Sequence, residues 1–136
     1  MNRIVLDTNV LVSGMINARS APGRIVDLIR EERIELVVDD RILAEYAEVL
    51  KRPKFRRYFS LQEVRDIMMF LEKNTTYMVS TETIADLPDP DDAAFLELAL
   101  SAKAILVTGN SDDFPESLHR SATVVTPAVY LEKRQR

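Results

Sequence analysis

The chain has 136 residues, no cysteine and a formal net charge of -4. That length suits one domain with a sizeable core, and the missing cysteines exclude disulfides, cysteine-based zinc sites, iron–sulfur clusters and thiol catalysis. A net acidic chain argues against a passive phosphate-binding module held by its own lysines and arginines, but not against a site whose divalent cations supply the positive charge.

Arg3–Leu6 is rich in branched residues and predicts a buried strand that ends at Asp7. Thr8 and Asn9 are placed to cap the apolar segment Val10–Met15. Asn17–Gly23 reads as a loop, and Ile25, Leu28, Ile29 and Glu32 recur at helical spacing, with Pro22 just inside the helix start. Ile34–Val38 is the second strand. Asp39 and Asp40 precede a helix marked by Ile42, Leu43, Tyr46, Val49 and Leu50, which Pro53 stops. Ser60 caps a further helix carrying Leu61, Val64, Ile67, Met68 and Leu71.

Thr76–Val79 is a third strand, followed by an acidic, turn-like stretch from Glu82 to Asp92. Asp91 or Asp92 opens the apolar helix Ala93–Ala102, Ala104–Val107 is a strand, and Ala122–Val125 is the last one. Thr126-Pro127 starts a short terminal helix, and the charged tail Glu132–Arg136 is expected to fray. Strands alternating with helices imply βαβ units, hence a mainly parallel sheet of about five strands with helices on both faces, a three-layer α/β/α sandwich. Neither repeat nor interdomain linker divides the chain, so residues 1–136 read as a single domain. No apolar run approaches the ~20 residues needed to cross a bilayer. The short apolar stretch before Asp7 is not a signal-peptide core. The expectation is a soluble, unprocessed, cytoplasmic protein with no membrane association.

In open parallel sheets, ligands bind beyond the carboxyl ends of the strands. Asp7 ends the first strand, Asn110, Asp112 and Asp113 follow the Ala104–Val107 strand, and Asp91 and Asp92 begin the helix that feeds it. Glu45 sits beside the apolar stripe of its helix, facing the sheet. A carboxylate there needs a partner, and several carboxylates together repel one another. A divalent cation resolves both, and oxygen-only ligands select Mg²⁺ or Mn²⁺ over Zn²⁺.

Each acid also has a plainer use. Asp7 could cap the Thr8-Asn9 turn, Asp91 and Asp92 could complement a helix N-terminus, and Asp112-Asp113 could be a solvated turn. Their joint occurrence at successive strand ends favours the site. No dinucleotide or P-loop glycine motif is present. His119 reads as a surface histidine, and Met68-Met69 as packing.

Leu6-Asp7-Thr8-Asn9-Val10 resembles the opening motif of the PIN-domain family. Asp89 to Ala99, with Asp92 three residues before the large apolar Phe95, resembles its third motif. The run Leu106 to Phe114, with Thr108, Asn110 and Asp113, resembles its fourth, and Glu45 fits the remaining acidic position. The ordered match covers nearly the whole chain.

This resemblance implies a parallel sheet sandwiched by helices and cleavage of single-stranded RNA by a Mg²⁺- or Mn²⁺-dependent site of Asp7, Glu45, Asp92 and Asp113. It also implies Thr8, Asn9 and Thr108 as orienting or phosphate-touching groups, and often a homodimer. Small stand-alone members are typically VapC-like toxins of toxin–antitoxin pairs, held inactive by a partner antitoxin protein. Some relatives carry Asp where this chain has Asn110, which leaves the outer ligand open among Asn110, Asp112 and Asp113. The Asp91-Asp92 doubling leaves a similar choice.

For holding RNA, the basic run Lys51–Arg57 with Phe55 and Tyr58 offers charge beside aromatic rings, although a solvated helix end explains it equally well. Arg19 and Arg24, after the first motif, are alternative phosphate contacts. Two other readings compete. One is a silent PIN domain serving as an RNA-binding or protein-interaction module, against which the intact acidic set argues. The other is a different acidic-site α/β protein. A receiver domain wants a lysine where Thr108-Gly109-Asn110 stands, and a haloacid-dehalogenase-type phosphatase wants aspartate at Asn9.

Overall fold

The computed structural model describes residues 2–134. In chain order its main elements are β1 (Arg3–Leu6), α1 (Thr8–Ile16), α2 (Ala21–Arg30), β2 (Glu35–Val38), α3 (Asp40–Leu50), α4 (Leu61–Asn74), β3 (Thr76–Tyr77), α5 (Ala93–Ala102), β4 (Ile105–Val107), β5 (Val124–Val125) and α6 (Pro127–Arg134). The five strands form one sheet in the order β3-β2-β1-β4-β5, and every pairing is parallel.

The centre of that sheet follows from three apolar runs. Ile4, Val5 and Leu6, then Leu36, Val37 and Val38, then Leu106 and Val107 are all buried, as a strand covered on both faces requires. The short outer strands are less buried. Parallel crossovers are right-handed. The connection from β3 back across to β4 runs opposite to the first two, so α5 falls on the other face, where it packs against β1, β2 and β4. The three-layer α/β/α architecture is thereby in place.

Local signals set most boundaries. Ser20 accepts the Gly23 amide at the start of α2, Asp39 accepts the Ile42 amide at 3.0 Å to start α3, and Ser60 and Glu63 form a reciprocal capping box on α4. Several expectations shift: the strands expected over Thr76–Val79 and Ala122–Val125 shorten to Thr76–Tyr77 and Val124–Val125, and α2 takes in the end of the expected Asn17–Gly23 loop. Helix α1 begins at Thr8, so Thr8 and Asn9 are helical residues and not caps; Asp7 occupies the N-cap position without a side-chain capping bond. Helix α3 ends at Leu50, before Pro53 opens a 3-10 turn over Pro53–Phe55. Helix α6 continues through Glu132 to Arg134 where fraying was expected, and residues 135 and 136 of that tail lie outside the described residues.

The order 3-2-1-4-5 reverses direction at β1. The crevice beyond the carboxyl ends of β1 and β4 is therefore the topological switch point, where parallel sheets bind ligands.

Candidate active site

Asp7 follows β1 directly, and its amide donates to the Val107 carbonyl at 3.0 Å, extending the β1–β4 ladder by one residue. Its side chain is 4% exposed. The carboxylate accepts the Thr108 hydroxyl at 2.7 Å, and the amides of Thr8 and Asn9 at the start of α1 also favour its charge. Thr108 is fully buried just beyond β4, and its own amide donates to Val125. Burial pushes the Asp7 carboxyl above the usual aspartate range; the Thr108 bond opposes this and the Asp113 charge adds to it.

The second acid arrives from α3. Tyr46, fully buried, donates its phenol to the Leu6 carbonyl at 2.5 Å and so pins α3 to the end of β1. That anchor sets the neighbouring Glu45 beside Thr8, whose hydroxyl donates to the Glu45 carboxylate. Glu45 is half-buried. Burial raises its pKa first, then the charges of Asp7, Asp91 and Asp89, against the Thr8 hydrogen bond.

Asp92 lies at the junction of the 3-10 turn Pro90–Asp92 and α5, and its side chain caps neither. Desolvation, followed by the charges of Asp7, Asp89, Asp113 and Glu45, pushes its pKa up to about 7. Asp91 is exposed, with its amide bonded to the Asp89 side chain at 3.0 Å. In the fourth segment, the Asn110 side chain accepts the Asp112 amide and so starts the 3-10 turn Ser111–Asp113. Asp112 is exposed and Asp113 half-buried. Asp113 is the member of this trio whose charge bears on both Asp7 and Asp92.

Asp7, Glu45, Asp92 and Asp113 are thus electrostatic neighbours, and none of them takes part in an ion pair among the described residues. The donor set is oxygen only, two of its carboxylates are held by threonine hydroxyls, and neighbouring acids help raise the pKa values of Asp7, Glu45 and Asp92. Such chemistry fits a hard divalent ion. Among the described residues no group of three or more acidic or histidine side chains is disposed to hold a metal ion outright.

A family model for the PIN domain matches residues 3–112 of the chain. The chain belongs to the PIN-domain family. It is 33% identical over 118 residues to an uncharacterized protein of Methanocaldococcus jannaschii, an alignment covering 81% of this chain and 72% of that protein. The fold is similar to VapBC2 from Rickettsia felis, solved bound to a DNA fragment from their promoter, with a TM-score of 0.60 and 17% identity over 91% of this chain and 98% of that one. It is equally similar to VapBC-1 from nontypeable Haemophilus influenzae, with a TM-score of 0.60 and 17% identity over 93% and 98% of the two chains. At those identities the likeness is one of fold. PIN domains are nucleases that generally use divalent metal ions.

The basic residues of this PIN domain fare differently from the acids. Arg19 and Arg24 are exposed. The nine residues of α1 carry the chain roughly 13 Å from Asp7 before Arg19 is reached, and no hydrogen bond or ion pair among the described residues ties either arginine to the carboxylates. Asn9 is exposed on the first turn of α1.

In the Lys51–Arg57 run, Arg56 donates to the carbonyls of Leu50, Arg52 and Phe59. It closes the C-terminus of α3, a structural use of its charge. Arg52 pairs with Glu48 at 2.9 Å. Lys54 and Arg57 lie over the rings of Phe55 and Tyr58. His119 is half-buried, with a ring nitrogen 2.6 Å from the Phe114 carbonyl, and is therefore not a plain surface residue. No described helix is long and apolar enough to cross a membrane.

Three contributors were not singled out from the sequence. Tyr46 stood only as an apolar-stripe residue, and Asp89 only as part of a motif. Glu97, 6% exposed in the middle of α5, carries a carboxylate in a helix that otherwise reads as apolar. A lone acid at a buried helical position was the available signal.

Proposed function

We propose that this chain is a single PIN domain acting as a Mg²⁺- or Mn²⁺-dependent endoribonuclease on single-stranded RNA. The observation that carries the proposal is the four-carboxylate group at the β1/β4 switch point, in which Asp92 is driven to a pKa of about 7. Asp7, Glu45, Asp92 and Asp113 would hold the ion, with Asp113 favoured over Asp112 by its partial burial and over Asn110 because that side chain caps a turn. When bound, such an ion supplies Lewis acidity toward water and the scissile phosphate.

The protein's own groups set the stage. The hydroxyls of Thr8 and Thr108 orient Glu45 and Asp7, as outer-shell groups do. The Tyr46 anchor holds β1 and α3 in register. With its pKa raised to about 7, Asp92 is partly protonated near neutral pH, and loading would displace that proton.

The shared fold with VapBC structures supports the toxin half of a toxin–antitoxin pair, with an antitoxin protein as partner. A homodimer and a cytoplasmic location belong to the same reading. The test is cleavage of single-stranded RNA with Mg²⁺, Mn²⁺ or EDTA by the wild type and the Asp7→Asn variant. Cleavage that needs the ion and vanishes in the variant supports the proposal; full activity in the variant refutes it.

A further inference from the structure

Glu97 is a buried carboxylate outside the four-acid group, and its two oxygens are spent on different parts of the fold. Oε1 accepts the Arg41 guanidinium at 2.6 Å, and Oε2 accepts the Ile84 amide at 2.8 Å. Arg41 stands one turn before Glu45 on α3, and its other nitrogens bond Asp39 at 3.2 and 2.9 Å. The opposite oxygen of Asp39 caps α3 at Ile42. One chain of charge-assisted bonds therefore joins α3, which carries Glu45, to α5, which starts beside Asp92. It also joins both to the segment that delivers Asp89 and Asp92.

A cleft of about 440 Å³ opens between α3 and α5, lined by Arg41, Glu45, Asp91, Ala94 and Glu97. Buried Ile42 and Phe95 line its floor, and the Arg41–Glu97 bridge spans it.

We infer that Arg41 and Glu97 are positioning residues that brace α3 against the start of α5, fixing Glu45 relative to Asp92 and so the fit of the site to a divalent ion. The inference rests on the metal-dependent reading above. A guanidinium suits the role because its planar fork engages two carboxylates at once.

The test uses Glu97→Gln, which keeps an acceptor for the Ile84 amide but loses its charge, and Arg41→Met, which keeps the apolar stem. Each folded variant should bind Mn²⁺ up to about tenfold more weakly, the lower end of the effect seen when a group bonded directly to a ligand is removed, and kcat on RNA should fall while KM holds. The double variant should lose no more than the worse single, because the residues act as one bridge. Arg41→Lys should recover part of the loss.

In the metal-free protein, amide hydrogen exchange at Ile84 and across residues 89–93 should quicken in Glu97→Ala. Unchanged Mn²⁺ affinity in folded variants would overturn the inference, whatever happens to the melting temperature. A wild type that binds no Mn²⁺ would instead remove the nuclease reading. The exchange measurement then decides the brace, and unchanged exchange at residues 89–93 would refute it.

Discussion

Neutralising Asp92 should stabilise the metal-free protein at neutral pH, even though it removes a residue the proposed chemistry needs. An unfolded aspartate titrates near 3.8, whereas Asp92 in the fold titrates near 7. Below pH 3.8 both states carry the proton and the group is neutral in its effect. Between 3.8 and 7 the unfolded chain sheds its proton while the folded protein keeps it, so stability falls as pH rises and levels off above 7.

Three units at ~1.4 kcal/mol each set a ceiling of roughly 4 kcal/mol. Asp92 is only half-buried, and solvent screening reduces that to about 1–2 kcal/mol. Its side chain makes no capping bond to α5, so Asp92→Asn gives up only a dipole interaction of about 0.3–1 kcal/mol. At ~2.1 cal/mol/K per residue, 1 kcal/mol moves the melting temperature of this chain by roughly 3–4 °C.

Calorimetry in EDTA from pH 4 to pH 8 should show Asp92→Asn matching the wild type at pH 4 and melting a few degrees higher at pH 8. Saturating Mn²⁺ should stabilise the wild type and leave the variant unmoved. Parallel curves, or a variant less stable at pH 8, would refute the reasoning.

Tyr46→Phe leaves the Leu6 carbonyl without its donor in a fully buried setting. It should cost about 1–2 kcal/mol, read as a lower urea midpoint with an unchanged denaturant slope. Arg56→Ala should cost about 1 kcal/mol through the lost cap on α3, without altering the salt dependence of RNA affinity; a shallower slope would return Arg56 to the RNA surface. Lys103 closes α5 in the left-handed region at φ 55°. Lys103→Gly should therefore raise stability by about 1 kcal/mol, and no gain in thermal unfolding would count against that account.

The sheet was readable because its three central strands are continuous apolar runs, each ended by an acid, a threonine or a cap. The helices were readable from their period and from Ser20, Asp39 and Ser60. What escaped is non-local. Asp7 looked like a candidate cap because capping is judged from the next three residues, while the group that claims its carboxylate is Thr108, 101 positions away.

Arg41 and Glu97 are 56 residues apart and belong to no shared pattern. Arg56 counted as surface charge because composition cannot show that three backbone carbonyls surround its guanidinium. The sequence pointed to the acids whose charges bear on Asp92, namely Asp7, Glu45 and Asp113, and their role as a site is the proposal made above. The site's threonine and tyrosine supports became visible only once the chain was folded.

The central claim is that these four carboxylates hold the divalent ion, and anomalous diffraction from a crystal soaked in Mn²⁺ tests it most directly. The account predicts a manganese peak among Asp7, Glu45, Asp92 and Asp113, lost in Asp7→Asn. A peak held elsewhere, with that group of carboxylates empty at saturating Mn²⁺, would contradict it.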